Sequence, residues 1–175
     1  MSLLPALTTP SYPFQQDLTM TELALPDALA ATQEPPLVQR LVSHHGATWV
    51  SPQTLEAFAS QPGDRVLFFS GDPVRFPEGL DVAVVLPELQ RAFKLAFDVG
   101  VVVRQAEDAV ARRYGERRWP SLVFLRSGQY VQSLPGMHDW SDYVALVTEA
   151  LSAPTRRVPG VGIPVVGGGD APACR

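Results

Sequence analysis

Two short apolar runs, at residues 65–70 and 96–103, stand on either side of a segment whose apolar residues recur at helical spacing. The first run is bounded on each side by a Gly-Asp pair, a turn signal that favours a buried strand over part of a long helix. Two strands joined through a helix are expected to pair in parallel in one sheet. The sequence therefore predicts a β-α-β unit near the middle of the chain.

The flanking segments extend this unit to an α/β architecture. Apolar stretches at residues 122–126 and 130–134 flank Ser127-Gly128-Gln129, which predicts a hairpin and hence an antiparallel strand pair. Further helices are predicted at residues 37–45, from Ser51-Pro52 onward, and at 82–93, 105–114 and 140–151. The fold class is therefore α/β, a mixed central sheet with helices on both faces.

Two of these helices give specific expectations about side chains. In the helix at residues 105–114, Ala109 and Val110 belong to the predicted apolar face. In the last helix, Asp139 is the predicted N-cap, and Trp140 and Tyr143 begin the stripe that faces the core.

Proline is distributed unevenly and suggests the domain limits. Of the 17 prolines, six lie within residues 1–36 and four within residues 153–175. Proline-rich ends without a helical or alternating apolar period are typical of poorly ordered segments. We expect a flexible N-terminal arm at residues 1–36, one domain at residues 37–152, and a disordered C-terminal tail at residues 153–175.

Charge and hydropathy exclude several classes of protein. A net charge of −4 argues against a general nucleic-acid or anionic-membrane binder, since both need a positive face. No apolar run approaches the roughly 18 residues of a membrane helix, which excludes membrane insertion, and the first basic residue is Arg40, unlike a signal peptide. The single cysteine, Cys174, cannot form an intrachain disulfide. We expect the chain to act in the cytoplasm.

The order of motifs in the second half resembles thioredoxin. The sequence around Tyr114-Gly115 ends a helix, and Trp119-Pro120 then opens an apolar strand, while Pro87 lies inside the long helix. The resemblance implies a thioredoxin-like three-layer sandwich in which the Trp119–Pro120 bond is cis and Pro87 is the kinking proline.

The same resemblance locates the positions at which redox-active thioredoxins carry their cysteines, and this sequence has no cysteine at either position. The two cysteines of the redox family lie eight and five residues before the kinking proline, which here are Gly79 and Val82, so there is no CxxC motif. The acid that the redox family buries in its central strand falls near Leu67 or Phe68, which are apolar.

A narrower resemblance covers residues 37–151. The sequence Ser70-Gly71-Asp72-Pro73, the long loop that follows it, residues 117–120, and Gly136-Met137-His138-Asp139-Trp140 are similar to the HupG/HyaE/HoxO family of hydrogenase-1 expression proteins. The resemblance implies a non-catalytic chaperone in [NiFe]-hydrogenase maturation, with no cofactor. Its partner would be the hydrogenase small-subunit precursor with its twin-arginine signal peptide, and other hydrogenase accessory proteins are further candidates.

A composite partner site follows from this expectation. Guanidinium groups of adjacent arginines pair naturally with carboxylates, and an apolar stretch needs aromatic surface beside them. The bland interpretation is that the acidic residues are only solvated and that Trp119 is a core residue. The predicted partner-binding residues are Asp72, Glu78, Asp81, Trp119, Pro120, His138 and Trp140.

Other functional interpretations have weaker support in the sequence. His44-His45 and His138 lack the further ligands of a metal site. The pair His138-Asp139 could suggest acid–base catalysis, but helix capping by Asp139 is the better interpretation of this pair. A general non-redox thioredoxin-like adaptor is the main alternative. A thiol oxidoreductase that depends on Cys174 is a second, disfavoured because a lone cysteine has no resolving partner.

Overall fold

Residues 33–159 are described by the computed structural model, and within them helices alternate with strands. In chain order the elements are α1 (Pro36–His45), β1 (Thr48–Val50), α2 (Leu55–Ala59), β2 (Asp64–Phe69), α3 (Glu78–Ala92), β3 (Phe97–Val102), a 3₁₀ turn (Arg104–Ala106), α4 (Glu107–Arg113), β4 (Ser121–Arg126), β5 (Gln129–Pro135) and α5 (Trp140–Ser152).

The strands form one mixed sheet in the order β1-β3-β2-β4-β5. β2 is parallel to β3, as the β-α-β pattern predicted, and β3 is also parallel to β1. β4 runs antiparallel to β2 and forms the predicted hairpin with β5. The strand β1 was not predicted, because three residues are too few to show a period.

Residues 66–69 of strand β2 are all apolar because both faces of the sheet are covered. Successive side chains of a strand point to opposite faces. Val66 and Phe68 accordingly pack with α1, α3 and α5, whereas Leu67 and Phe69 pack with α2 and α4. The fold is the thioredoxin-like α/β sandwich that the sequence motifs implied, with Pro87 inside α3.

Several local expectations are wrong. Trp140 does not face the core: it is the first residue of α5 and 49% exposed. Asp139 occupies the N-cap position, but its side chain makes no capping hydrogen bond. Ser51-Pro52 precedes a turn, and the regular helix α2 begins only at Leu55. Ala109 is exposed, because the buried face of α4 is rotated towards Glu107 and Ala111.

Both ends of the described chain are hydrogen bonded to the domain. At the C-terminal end, Arg156 donates from its backbone N–H to the carbonyl oxygen of Tyr130 (2.7 Å) and from Nε to that of Val131 (2.5 Å). Residues 155–156, near the start of the predicted tail, therefore pair with β5, and Val158 and Pro159 lie beside Gly115. Residues 1–32 of the predicted arm and 160–175 of the predicted tail are outside the described residues.

Within residues 33–159, none of the helices has both the length and the apolar character that a membrane crossing requires.

Candidate functional site

The loop that precedes β4 contains a cis peptide bond between Trp119 and Pro120, as the resemblance to thioredoxin implied. The carbonyl oxygen of Pro120 accepts a hydrogen bond from the backbone N–H of Gly136 at 2.7 Å. This bond joins the start of β4 to the loop that follows β5. The resulting edge of the sheet carries residues from three segments of the sequence.

Two adjoining grooves open at this edge. The first, about 460 Å³ in volume, is lined by Glu78, Arg118, Pro120, Met137 and His138 among others; we call it the Pro120 groove. The second, about 400 Å³, is lined by Gly71, Asp72, Arg104, Glu107 and Asp108; we call it the Glu107 groove. The side chains of Arg75, Phe76 and Trp119 line both.

The wall that the grooves share is a stacked aromatic pair. The ring centroids of Phe76 and Trp119 lie 6.0 Å apart with an interplanar angle of 29°. Gly71 permits this packing: its φ is +75°, and a Cβ atom there would lie 2.9 Å from Phe76 Cδ2 and from Trp119 Cβ. Any side chain at position 71 would therefore displace the aromatic pair.

A buried carboxylate forms the floor of the Glu107 groove. Glu107 is only 3% exposed. Its Oε1 accepts hydrogen bonds from the backbone N–H of Ser70 (2.6 Å) and of Gly71 (3.0 Å), and Oε2 accepts a second one from Gly71 (3.0 Å). Burial raises the pKa of Glu107 to about 7, against the opposing effect of these hydrogen bonds. The carboxylate thus holds the end of β2 against α4.

Glu107 was missed by the sequence analysis, although a signal for it exists. Residues 107, 110, 111 and 114 follow the i, i+3, i+4, i+7 spacing of a single helix face, and all four are buried. Leu67 and Phe68, at the positions where redox thioredoxins bury an acid, are core residues here. A carboxylate reaches the interior from α4 instead.

A second buried carboxylate lies near the first. Glu34 is 3% exposed, and its Oε1 accepts a hydrogen bond from the backbone N–H of Arg104 at 2.7 Å. Burial raises the pKa of Glu34, and its charge in turn raises the pKa of Glu107. Glu34 Oε2 has no hydrogen-bond partner within residues 33–159, and neither has Trp119 Nε1, which lies beside the Glu107 carboxylate.

The structure brings together five of the seven predicted site residues. Glu78, Trp119, Pro120 and His138 line the Pro120 groove, and Asp72 lines the Glu107 groove. Asp81 is exposed one turn beyond Glu78 on α3, and the exposed Trp140 follows the loop of Met137 and His138; neither lines a groove. The seven residues therefore do not line a single cavity: five of them line the two grooves, and Asp81 and Trp140 follow groove-lining residues in sequence.

Two of the polar residues are engaged within the domain. Asp72 Oδ1 accepts hydrogen bonds from the backbone N–H groups of Val74 (2.9 Å) and Arg75 (3.1 Å), which lower the pKa of Asp72. His138 donates from Nε2 to the carbonyl oxygen of Pro135 at 3.1 Å and packs edge-on against Tyr143.

The edge is less acidic than the sequence indicated. Arg104 Nη1 approaches Asp72 Oδ2 at 4.0 Å, and Arg75 and Arg118 line the Pro120 groove together with Glu78. Distant segments of the chain bring Arg104 and Arg118 to this edge, so local charge counting could not include them. The surface offers carboxylates and guanidinium groups side by side.

The positions that correspond to the redox cysteines are both buried. Gly79 packs so closely that a Cβ atom would lie 2.1 Å from the carbonyl oxygen of Ser70. Val82 is 1% exposed. Residues 33–159 contain no cysteine and no cluster of three His, Cys, Asp or Glu side chains arranged to hold a metal ion. Cys174 lies outside the described residues.

Comparisons of the sequence with known proteins point to a single family. Residues 37–143 match the family model of hydrogenase-1 expression protein HyaE. The hydrogenase expression/formation protein HoxO of Cupriavidus necator is 51% identical over 142 residues, covering 80% of this chain and 88% of HoxO. HupG of Bradyrhizobium diazoefficiens, of the same description, is 35% identical over 129 residues, covering 71% of this chain and 87% of HupG.

A solved mutant thioredoxin from Halobacterium salinarum superposes with a TM-score of 0.49 at 23% identity, covering 65% of this chain and 94% of that protein. The family match spans more than half of the chain, and the curated relatives are matched over most of their length. The chain belongs to the HyaE/HoxO/HupG family of hydrogenase expression proteins, generally non-catalytic accessory proteins of [NiFe]-hydrogenase maturation with a thioredoxin-like structure.

Proposed function

We propose that this protein is a chaperone that binds the small-subunit precursor of a [NiFe]-hydrogenase, including its twin-arginine signal peptide. The binding site is the edge of the domain formed by the Pro120 and Glu107 grooves. The observation that supports this most directly is an open groove beside Pro120 that is walled by the Phe76–Trp119 pair and lined by Glu78.

Exposed apolar side chains lie on the segments that border the grooves. Val74, Met137 and Trp140 are 89%, 41% and 49% exposed, and all three belong to the loops or helix start at this edge. Large apolar groups grouped at one edge of a domain are typical of protein interaction surfaces. They supply contact area for the apolar stretch that follows the arginine pair in such signal peptides.

The backbone of Trp119 is available to an extended peptide. Within the described residues, neither its N–H nor its carbonyl group takes part in a hydrogen bond. An extended segment that enters the Pro120 groove can pair with these groups, as peptides do when they add to the edge of a sheet. Phe76 and Trp119 then form the wall beside it.

The carboxylates supply the arginine recognition. Glu78 is exposed in the Pro120 groove and Asp81 follows on the same helix, while the lowered pKa of Asp72 keeps that group ionised at neutral pH. Arg75 and Arg118 line the same groove and repel a basic ligand, so we expect the arginine pair of the peptide to bind at Glu78 and Asp81. Exposed ion pairs contribute only about 0.2–1 kcal/mol each, so the charges mainly govern specificity and association rate.

Charge reversal tests this proposal. Calorimetry should compare the purified protein with a Glu78→Lys, Asp81→Lys variant, titrated with the synthetic signal peptide at low and high salt. Glu88→Lys, Glu149→Lys is the matched control, because both residues are exposed and neither lines a groove. We expect the first variant alone to weaken binding, with a loss that shrinks as salt screens the charges. Equal affinity of both variants would contradict arginine recognition at this edge.

A general non-redox adaptor is the alternative function. The exposed apolar residues would serve such a protein equally well, but it would not discriminate among apolar peptides. Replacing the two arginines of the signal peptide by glutamines separates the two functions: the chaperone loses affinity for the altered peptide, and the adaptor does not.

A further inference from the structure

The N-terminal segment leaves the domain at the rim of the Glu107 groove. Glu34 is buried and accepts a hydrogen bond from the backbone N–H of Arg104, a residue that lines this groove. The side chain of Gln105 donates a hydrogen bond to that of Gln33 at 3.0 Å. Residues 1–32 are therefore tethered beside the proposed partner site.

The composition of this segment is unusual. Residues 1–32 contain no lysine, arginine or histidine, and their charged side chains are Asp17, Glu22 and Asp27. They are also rich in large apolar residues, including Phe14, Met20 and several leucines. The segment is thus acidic and apolar, and it is covalently attached beside the groove.

The grooves offer complementary groups to such a ligand. Arg75 and Arg118 form no ion pair within residues 33–159, and Arg104 has only its 4.0 Å approach to Asp72. Arg75 lies over the ring of Phe76, 5.4 Å from its centroid, so a guanidinium group adjoins the aromatic wall. Carboxylates can pair with these arginines while apolar side chains cover Phe76 and Trp119.

We propose that residues 1–32 occupy the grooves of their own chain and compete with the partner. Each residue of an extended chain spans about 3.3–3.6 Å, so a segment tethered at Gln33 can reach both grooves within a few residues. A short tether gives an effective concentration in the millimolar range, which allows weak contacts to fill the site. The competition with the precursor rests on the proposed function, whereas the occupancy of the grooves by residues 1–32 does not depend on it.

Paramagnetic broadening in the full-length protein tests the occupancy without any partner. A spin label is placed at position 20 in a Met20→Cys, Cys174→Ser variant, and the Trp119 indole N–H resonance is compared with the backbone N–H resonance of Gly128. We expect strong broadening of Trp119 and little of Gly128, because Gly128 lies in the turn between β4 and β5, at the end of the strands away from the grooves. Equal or absent broadening of these two resonances would overturn the proposal.

Two controls identify the occupant. A spin label on the native Cys174 reports on the C-terminal segment, and broadening of Trp119 from that label alone would mean that residues 160–175 fill the groove. Mixing spin-labelled protein with isotope-labelled, spin-free protein reports on a second copy; broadening in that mixture would equally overturn the intramolecular proposal. We expect neither.

The acidic residues of the segment should control the occupancy. Asp17→Lys, Glu22→Lys, Asp27→Lys is expected to reduce the broadening of Trp119, whereas Glu88→Lys, Glu149→Lys, at exposed positions outside both grooves, should not. If the grooves are nine-tenths occupied, releasing the segment should tighten precursor binding about tenfold. Unchanged broadening in the triple variant would overturn the charge pairing. Reduced broadening with unchanged precursor affinity would overturn the competition and leave the occupancy standing.

Discussion

The carboxylate of Glu107 accepts a hydrogen bond of 2.6 Å from the backbone N–H of Ser70, so that the first turn of α4 holds the last residues of the central strand. The neighbouring N–H of Gly71 donates to the same carboxylate. Gly71 in turn contacts Trp119 closely enough that no side chain fits between them. A buried acid therefore fixes the floor of the proposed binding edge.

Glu107 should make the stability of the fold depend on pH. Its pKa is raised from 4.5 to about 7 in the folded protein, so between these values the folded state binds more protons than the unfolded state. The contribution of Glu107 to the free energy of unfolding should accordingly be greatest below pH 4.5. It should fall by roughly 3 kcal/mol as the pH rises through 7. The raised pKa of Glu34 acts in the same direction.

Denaturant titrations of Glu107→Gln at several pH values between about 5 and 8 check this expectation. Glutamine resembles the protonated acid, so the variant should lose much of the pH dependence. The control is Asp108→Asn, whose exposed side chain is next in sequence and should leave the dependence intact. Parallel pH profiles of wild type and Glu107→Gln would show that this carboxylate is not responsible.

Gly79 should tolerate no side chain. A Cβ atom would lie 2.1 Å from the Ser70 carbonyl oxygen, which is backbone and cannot move aside cheaply. We expect Gly79→Ala to lower the free energy of unfolding by about 1–3 kcal/mol, as overpacking commonly does. Val84→Ala, at a 55% exposed position of the same helix, should change it far less. Thermal unfolding of both variants measures the difference, and an equally stable Gly79→Ala would contradict the packing described.

Thiol chemistry should contribute nothing to function. The purified protein is expected not to accelerate the reduction of insulin by a dithiol, because residues 33–159 contain no cysteine. Cys174→Ser should therefore support hydrogenase maturation in cells as well as the wild type does. A large loss of hydrogenase activity in that variant would restore the oxidoreductase interpretation.

The sequence was informative where the structure is local. The strands β2 and β3, the hairpin of β4 and β5, and the cis bond before Pro120 follow from short patterns and from the family resemblance. Contacts between segments that are distant in sequence could not be predicted from local patterns. The burial of Glu107 against Ser70, and the approach of Arg104 and Arg118 to the acidic loop, arise only when the chain folds. The predicted site was consequently too acidic.

The affinity for the small-subunit precursor tests the central claim most directly. Calorimetry should compare wild type with Met137→Asp, which places a charge in the Pro120 groove, and with Leu95→Asp, a control at a 69% exposed apolar position that lines neither groove. We predict that wild type and Leu95→Asp bind the precursor alike and that Met137→Asp binds at least about tenfold more weakly, a loss of about 1.4 kcal/mol. Absence of binding by the wild type, or equal affinities of all three proteins, would contradict the account.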